Sequence, residues 1–155
     1  MKKIVVLIFV LMCSDLFAFD LLQIRSMHYK AIKDENTCKS LIKYLSESSD
    51  ALDATSKAYL ASAHVLMARH YWMPNKKLES FYRGSNMLDS IIQSNADNIE
   101  ARFLRYCIQY NVPSILGYNK NLSEDKEILI LKVDTVKEQE LKSAILDFIS
   151  NPKKY

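Results

Sequence analysis

The sequence predicts an all-α fold of six or seven helices, packed as antiparallel hairpins. Three observations predict it. The 155-residue chain contains only 2 Gly and 3 Pro, too few for the tight turns that a β-sandwich or barrel needs. Apolar residues recur at alternating spacings of three and four along most of the chain, which is the period of a helix with one buried face. The ends of these periodic segments carry capping residues or proline, the usual start and stop signals of helices. Apolar residues make up 49% of the chain and charged residues 25%, a balance that forms a core rather than a disordered coil.

The first segment stands apart from the fold. Met1-Lys2-Lys3 is positive, and Ile4 to Met12 is an unbroken apolar run of nine residues, far short of the roughly 20 needed to span a bilayer. This pattern describes a secretory signal peptide over residues 1–18, with cleavage after Ala18. Leu16 departs from the small residue preferred near such a site. Cys13 follows Met12, whereas a lipidated cysteine follows Gly, Ala or Ser, so a plain signal peptide is the better reading. Cleavage would leave 137 residues with a net charge of +2, forming one domain over residues 19–155, periplasmic or secreted.

Helix then follows helix. Leu21, Ile24, His28 and Ala31 share one face. Asp34-Glu35-Asn36 interrupts that pattern, and Cys38, Leu41, Ile42 and Leu45 mark a second, shorter helix. Residues 46–50 form a polar loop. Ala58, Ala61, Val65, Ala68 and Trp72 define a third helix, and Tyr59, Ala63, Leu66 and Met67 add a second apolar face. A helix apolar on two sides lies between others, and Met73-Pro74 ends it. Leu78, Phe81, Ser85, Leu88 and Ile92 form a fourth, with Gly84 in its interior where another helix is expected to cross closely. Leu66, Trp72, Leu88 and Leu104 are expected to be buried among the third, fourth and fifth helices.

Asp97 and Glu100 read as a capping box opening the fifth helix, which carries Ala101, Phe103, Leu104, Cys107 and Ile108. Val112-Pro113 stops it, and Gly117 ends a short turn. Ser123 is expected to cap the next segment. Ile128 to Leu131 is continuously apolar, which suits a buried strand as well as a helix; a lone strand would have no partner, so helix is chosen. Thr135 and Glu138 read as a second capping box before the last helix, in which Leu141, Ala144, Ile145 and Phe148 are expected to face inward.

Several function classes are disfavoured. Gly84 and Gly117 are the only glycines, and loops that cradle phosphates need several close together. The net charge of +3 is too balanced for nucleic-acid binding by bulk electrostatics. His64 and His70 are six residues apart, the wrong spacing for two metal ligands on one helix. No metal or cofactor is therefore expected. Cys38 and Cys107 each lie on an apolar stripe, so buried free thiols are favoured over a disulfide, although an oxidising compartment permits one. Asp50 and Asp53 read as helix-start carboxylates. Glu79 with Arg83 and Glu138 with Lys142 read as pairs that support their helices.

Residues 94–101, Ser-Asn-Ala-Asp-Asn-Ile-Glu-Ala, resemble the linker between tetratricopeptide (TPR) repeats. The resemblance implies a right-handed array of helical hairpins. Ala61 and Ala101 are 40 residues apart, however, against roughly 34 for a TPR unit. Tyr29-Lys30-Ala31, Ala68-Arg69-His70 with Trp72 and Pro74, Arg102-Phe103-Leu104-Arg105, Asn111-Val112-Pro113, Leu116-Gly117-Tyr118 and Glu124-Asp125-Lys126 resemble a group of small exported helical proteins of Bacteroidota. That resemblance implies fold and compartment and lends no activity.

One constellation carries a functional expectation. Arg102, Arg105 and Gln109 are spaced three and four apart, and Asn111, Gly117 and Tyr118 follow in the adjoining turn. They read as a polar groove that would clamp a carboxylate or a peptide backbone. The plainer reading pairs the arginines with acids such as Asp125. The expected function is non-catalytic binding of a protein or peptide partner in the cell envelope. The alternatives are a hydrolase using His64 or His70, and a structural subunit of an envelope complex. Asp89-Ser90-Ile91, Asp134-Thr135-Val136 and Asn121-Leu122-Ser123 fit short glycosylation patterns that also arise by chance.

Overall fold

The computed structural model describes residues 20–152, so residues 1–18, expected to be a signal peptide, with Cys13 among them, and Phe19 lie outside the described residues. Seven α-helices are present among the described residues: α1 (Leu21–Ala31), α2 (Glu35–Ser46), α3 (Ala54–His70), α4 (Pro74–Ser94), α5 (Ile99–Asn111), α6 (Leu122–Lys132) and α7 (Gln139–Ser150). Short 3-10 turns sit at Ser49–Ala51, Ser114–Leu116 and Val133–Thr135. The described chain has no strand, and residues 128–131 are helical. Among the described residues, no helix is long and apolar enough to cross a membrane.

Local chemistry sets the helix starts. The carboxylates of Asp20, Asp34 and Asp53 and the side chain of Asn98 each accept a bond from a backbone N–H in the first turn that follows, satisfying donors that the helix itself cannot. Three expected caps fall elsewhere. Asn98, not Asp97, caps α5, because Asp97 is drawn to Lys132 and Glu100 turns into the core. Asn121 precedes α6 and Ser123 lies inside it. Thr135 closes its own 3-10 turn by donating to Lys132 O at 2.7 Å, and Lys142 pairs with Asp134 rather than Glu138.

Each helix packs against the next in sequence, and α1, α3, α5 and α7 also touch one another in order. The result is two layers, with odd-numbered helices in one and α2, α4 and α6 in the other, as in stacked helical hairpins. α3 meets α1, α2, α4 and α5, which explains why it is apolar on more than one side. The first core joins α1 to α5 around Ile24, Leu41, Leu45, Leu88 and Leu104. A second core joins α5, α6 and α7 around Tyr106, Leu129, Ile145 and Phe148. Phe148 is ringed edge-on by Phe103, Tyr106 and Tyr110 of α5, with centroids 6.1, 5.6 and 5.7 Å away. Cys38 belongs to a third, small cluster with Ala31 and Met67, whereas Cys107 packs against the second core. Both thiols are free. Burial pushes the Cys38 thiol up to about 11.

Leu88 and Leu104 are buried as expected and Leu66 is partly buried, but Trp72 is 92% exposed. The reason is that α3 ends at His70, and Tyr71 leaves it in extended conformation. The helical period that placed Trp72 inward no longer applies there. Pro74 opens α4 at its first turn rather than closing α3, a position where its missing N–H does no harm.

Gly84 is where α3 and α4 approach most tightly. A Cβ at this position would stand 2.4 Å from Ala61 O and 2.7 Å from both the Val65 amide nitrogen and its Cγ2. Backbone on the neighbouring helix cannot yield as a flexible side chain can. On an isolated helix Gly→Ala would gain about 1 kcal/mol. Here the clash outweighs that gain, and Gly84→Ala should lower stability by about 1–3 kcal/mol in urea denaturation followed by circular dichroism.

Candidate functional site

The arginine constellation is brought together, but inside the protein. Arg102, Arg105 and Gln109 are 6%, 5% and 3% exposed, and Asp125 of α6 is fully buried between the two arginines. Arg105 grips this carboxylate with two of its three nitrogen prongs, Nε to Oδ2 at 2.7 Å and Nη2 to Oδ1 at 2.8 Å. Arg102 donates from Nη1 to Oδ1 at 2.9 Å and from Nε to Ala96 O at 2.8 Å. The remaining Arg105 prong reaches Asp89 of α4 at 3.1 Å, and the Tyr118 hydroxyl donates to the same Asp89 oxygen at 3.0 Å. Burial opposes the Arg105 charge, yet bonds to Asp125 and Asp89 raise its pKa. Burial and the Asp89 charge push the Tyr118 hydroxyl up as well. Asn111 donates back to Cys107 O at 2.8 Å. The expected exposed polar groove is thus a sealed seam, because Asp125 satisfies the donors a ligand would have met. Gln109 Oε1 is buried and accepts no hydrogen bond.

A second buried network escaped the sequence analysis. Arg25 of α1 holds Glu100 of α5 with two parallel bonds of 2.7 Å, and Tyr59 of α3 donates to Glu100 Oε1 at 2.5 Å. The Glu100 bonds raise the Arg25 pKa, and burial with the Glu100 charge raises that of Tyr59. One turn along α1, His28 Nε2 lies 2.7 Å from Ser62 Oγ, with its ring edge-on to Tyr59 at 5.1 Å. Burial lowers the His28 pKa to about 4. Arg25 and Glu100 are 75 residues apart, so no local spacing announces the pair. The only sequence hint is a charge on the inner edge of each amphipathic helix.

The two histidines named as alternatives for a hydrolytic site have different surroundings. His70 is bonded through Nε2 to Ala31 O at 2.9 Å, and His64 lies on the opposite side of α3 from the His28 network. Among the described residues, no group of three or more His, Cys, Asp or Glu side chains could hold a metal ion. Ser90 lies within α4, with its hydroxyl donating to Asn86 O at 3.0 Å.

The surface offers a different candidate. α2 and α4 flank α3 and leave an open cleft of about 550 Å³ above it. Ile42, Met67 and Tyr71 supply apolar floor, and Lys39, Lys43, Lys76 and Arg83 line the walls against a single acid, Glu79. His64 sits in this cleft, with its pKa lowered by burial and by Arg83. The wall cations make only exposed helical pairs, Lys39 with Glu35 at 2.6 Å, Lys43 with Glu47 at 3.8 Å and Arg83 with Glu79 at 3.6 Å. Such pairs are weak and exchange readily for a ligand. A second open cleft, of about 630 Å³, lies between the α4–α5 turn and residues 135–141.

Two tests follow from the buried networks. Asp125→Ala would strand two buried guanidinium groups and should cost on the order of 3–5 kcal/mol, whereas Glu124→Gln, at a half-exposed partner of Arg102, should stay within about 0.5 kcal/mol. Urea titration of both variants measures the difference. His28 resists protonation in the folded state down to about pH 4, whereas an unfolded histidine takes its proton near 6.5. The unfolded state therefore binds more protons between these values, and the His28 contribution to stability falls as the pH drops from about 6.5 to about 4. The melting temperature of His28→Gln should show a shallower decline over that interval than the parent protein.

The chain matches no family model, no curated protein and no solved structure, so its functional reading rests on the geometry of the cleft and the buried networks.

Proposed function

We propose that the protein is a non-catalytic binding module of the cell envelope that holds a protein or peptide segment in the cleft between α2 and α4. The cleft is the observation that carries this reading. Its apolar floor suits the side chains of an inserted segment, and its four lining cations, three of them held only by exposed helical partners, suit a segment of net negative charge. The two-layer alternation of helices supports the TPR-like reading, since stacked hairpins present extended binding surfaces. The positive start and short apolar run of residues 1–18 support export to the periplasm or beyond. In this reading Arg102, Arg105 and Tyr118 serve binding indirectly, by fixing α4 against α5 and α6.

Fluorescently labelled peptides test the proposal. A peptide mixing Asp or Glu with Leu should bind, and its lysine counterpart should not. Lys43→Glu/Arg83→Glu should weaken the acidic peptide by at least about 10-fold, with a matching loss as salt is raised. Equal affinity in the double variant would remove the cleft from the site. Peptide cleavage that His64→Ala abolishes would replace the binding reading with the hydrolase.

A further inference from the structure

The connection between α3 and α4 carries a feature that the cleft does not use. Trp72 is 92% exposed and Met73 43% exposed. They sit at the tip of the α3–α4 hairpin, and neither lines either of the two clefts described above. Cations bracket them closely: Arg69 lies in the last turn of α3, and Lys76 and Lys77 lie in the first turn of α4. The bond from His70 to Ala31 O fastens this tip to the end of α1, which brings the exposed Lys30 and Lys33 to the same end of the molecule. The acids there, Asp34 and Glu35, are occupied in capping α2 and pairing Lys39.

A large apolar side chain fully in water is a standing cost of roughly 1.5–3 kcal/mol relative to burial. Among the described residues, none covers Trp72. Its indole is amphipathic, and tryptophan prefers the headgroup level of a bilayer, where lysine and arginine meet anionic lipid. Exposed Arg69 on one side of the indole and exposed Lys76 and Lys77 on the other suit a surface that carries many anionic headgroups.

We propose that the α3–α4 tip is a peripheral membrane anchor, with Trp72 and Met73 entering the interface of an anionic bilayer while the flanking cations contact its headgroups. Trp72 is the sole tryptophan, so its fluorescence reports on this tip alone. The protein purified from its host should show a blue shift of that emission, and protection from iodide quenching, with phosphatidylglycerol vesicles but not with phosphatidylcholine. Arg69→Gln/Lys77→Gln removes two cations that do not line the cleft. At about fivefold per cation, it should weaken vesicle binding by roughly 25-fold. Lys43→Glu/Arg83→Glu, which disables the cleft, should leave the Trp72 shift in place. Unchanged emission at saturating phosphatidylglycerol would overturn the anchor. So would a shift produced by an acidic peptide and by neither kind of vesicle, which would assign the tip to a protein partner instead.

Discussion

The carboxylate of Asp125 is the point on which the two halves of this molecule depend. It is fully buried and belongs to neither apolar core. One core gathers α1 to α5 and the other gathers α5 to α7, and α5 is the wall they share. Arg102 and Arg105 project from that wall, and Asp125 of α6 bonds to both, while Glu124 and Asp89 supply the further negative charge. Removing such charges from water is expensive, and only a well-formed set of charge-assisted bonds offsets it. The arrangement therefore tolerates little displacement of α6 along α5. Asp89 and Tyr118 extend the same set of bonds to α4 and to the turn after α5, so the register of three helices is coupled through Arg105 and its two carboxylate partners.

The odd-numbered layer has its own polar tie. Glu100 joins α1 and α3 to α5 through Arg25 and Tyr59. α5 thus carries an anion near one edge and two cations near the other, each satisfied by a different neighbour. Hydrophobic burial is non-directional, and it would allow these helices to slide. Bidentate Arg–carboxylate bonds are directional, and they select one alignment among several that bury similar area. The same inward commitment removes the arginines from the surface, which moves the available positive charge to the lysines of α2 and α4.

Those surface cations divide between two shapes. Gly84 lets α4 settle against Ala61 and Val65 of α3, and α2 covers the other flank, leaving the upper face of α3 as the floor of a basic cleft. Where α3 ends, the chain turns outward and exposes Trp72. The basic cleft and the exposed aromatic tip are separate surfaces with different side chains at their centres. Lys76 lies at the meeting point of the two, within the cleft wall and beside the tip.

Sequence periodicity and capping chemistry are local, and what they govern was legible without coordinates. The all-α class follows from the spacing of three and four, the centrality of α3 from its two apolar faces, and the close crossing at Gly84 from a glycine inside a helix. The pairing of the arginines with Asp125 was legible as the plainer of two readings, because an acid 20 residues beyond Arg105 could return on the next helix. Tertiary structure alone decided that this pairing is buried, that Glu100 leaves its expected cap to meet Arg25, and that Trp72 faces water. Each of these depends on which helix lies alongside and where a neighbour ends. A side chain's burial is a property of the space around it, and a one-dimensional period describes only the side of the helix from which it leaves.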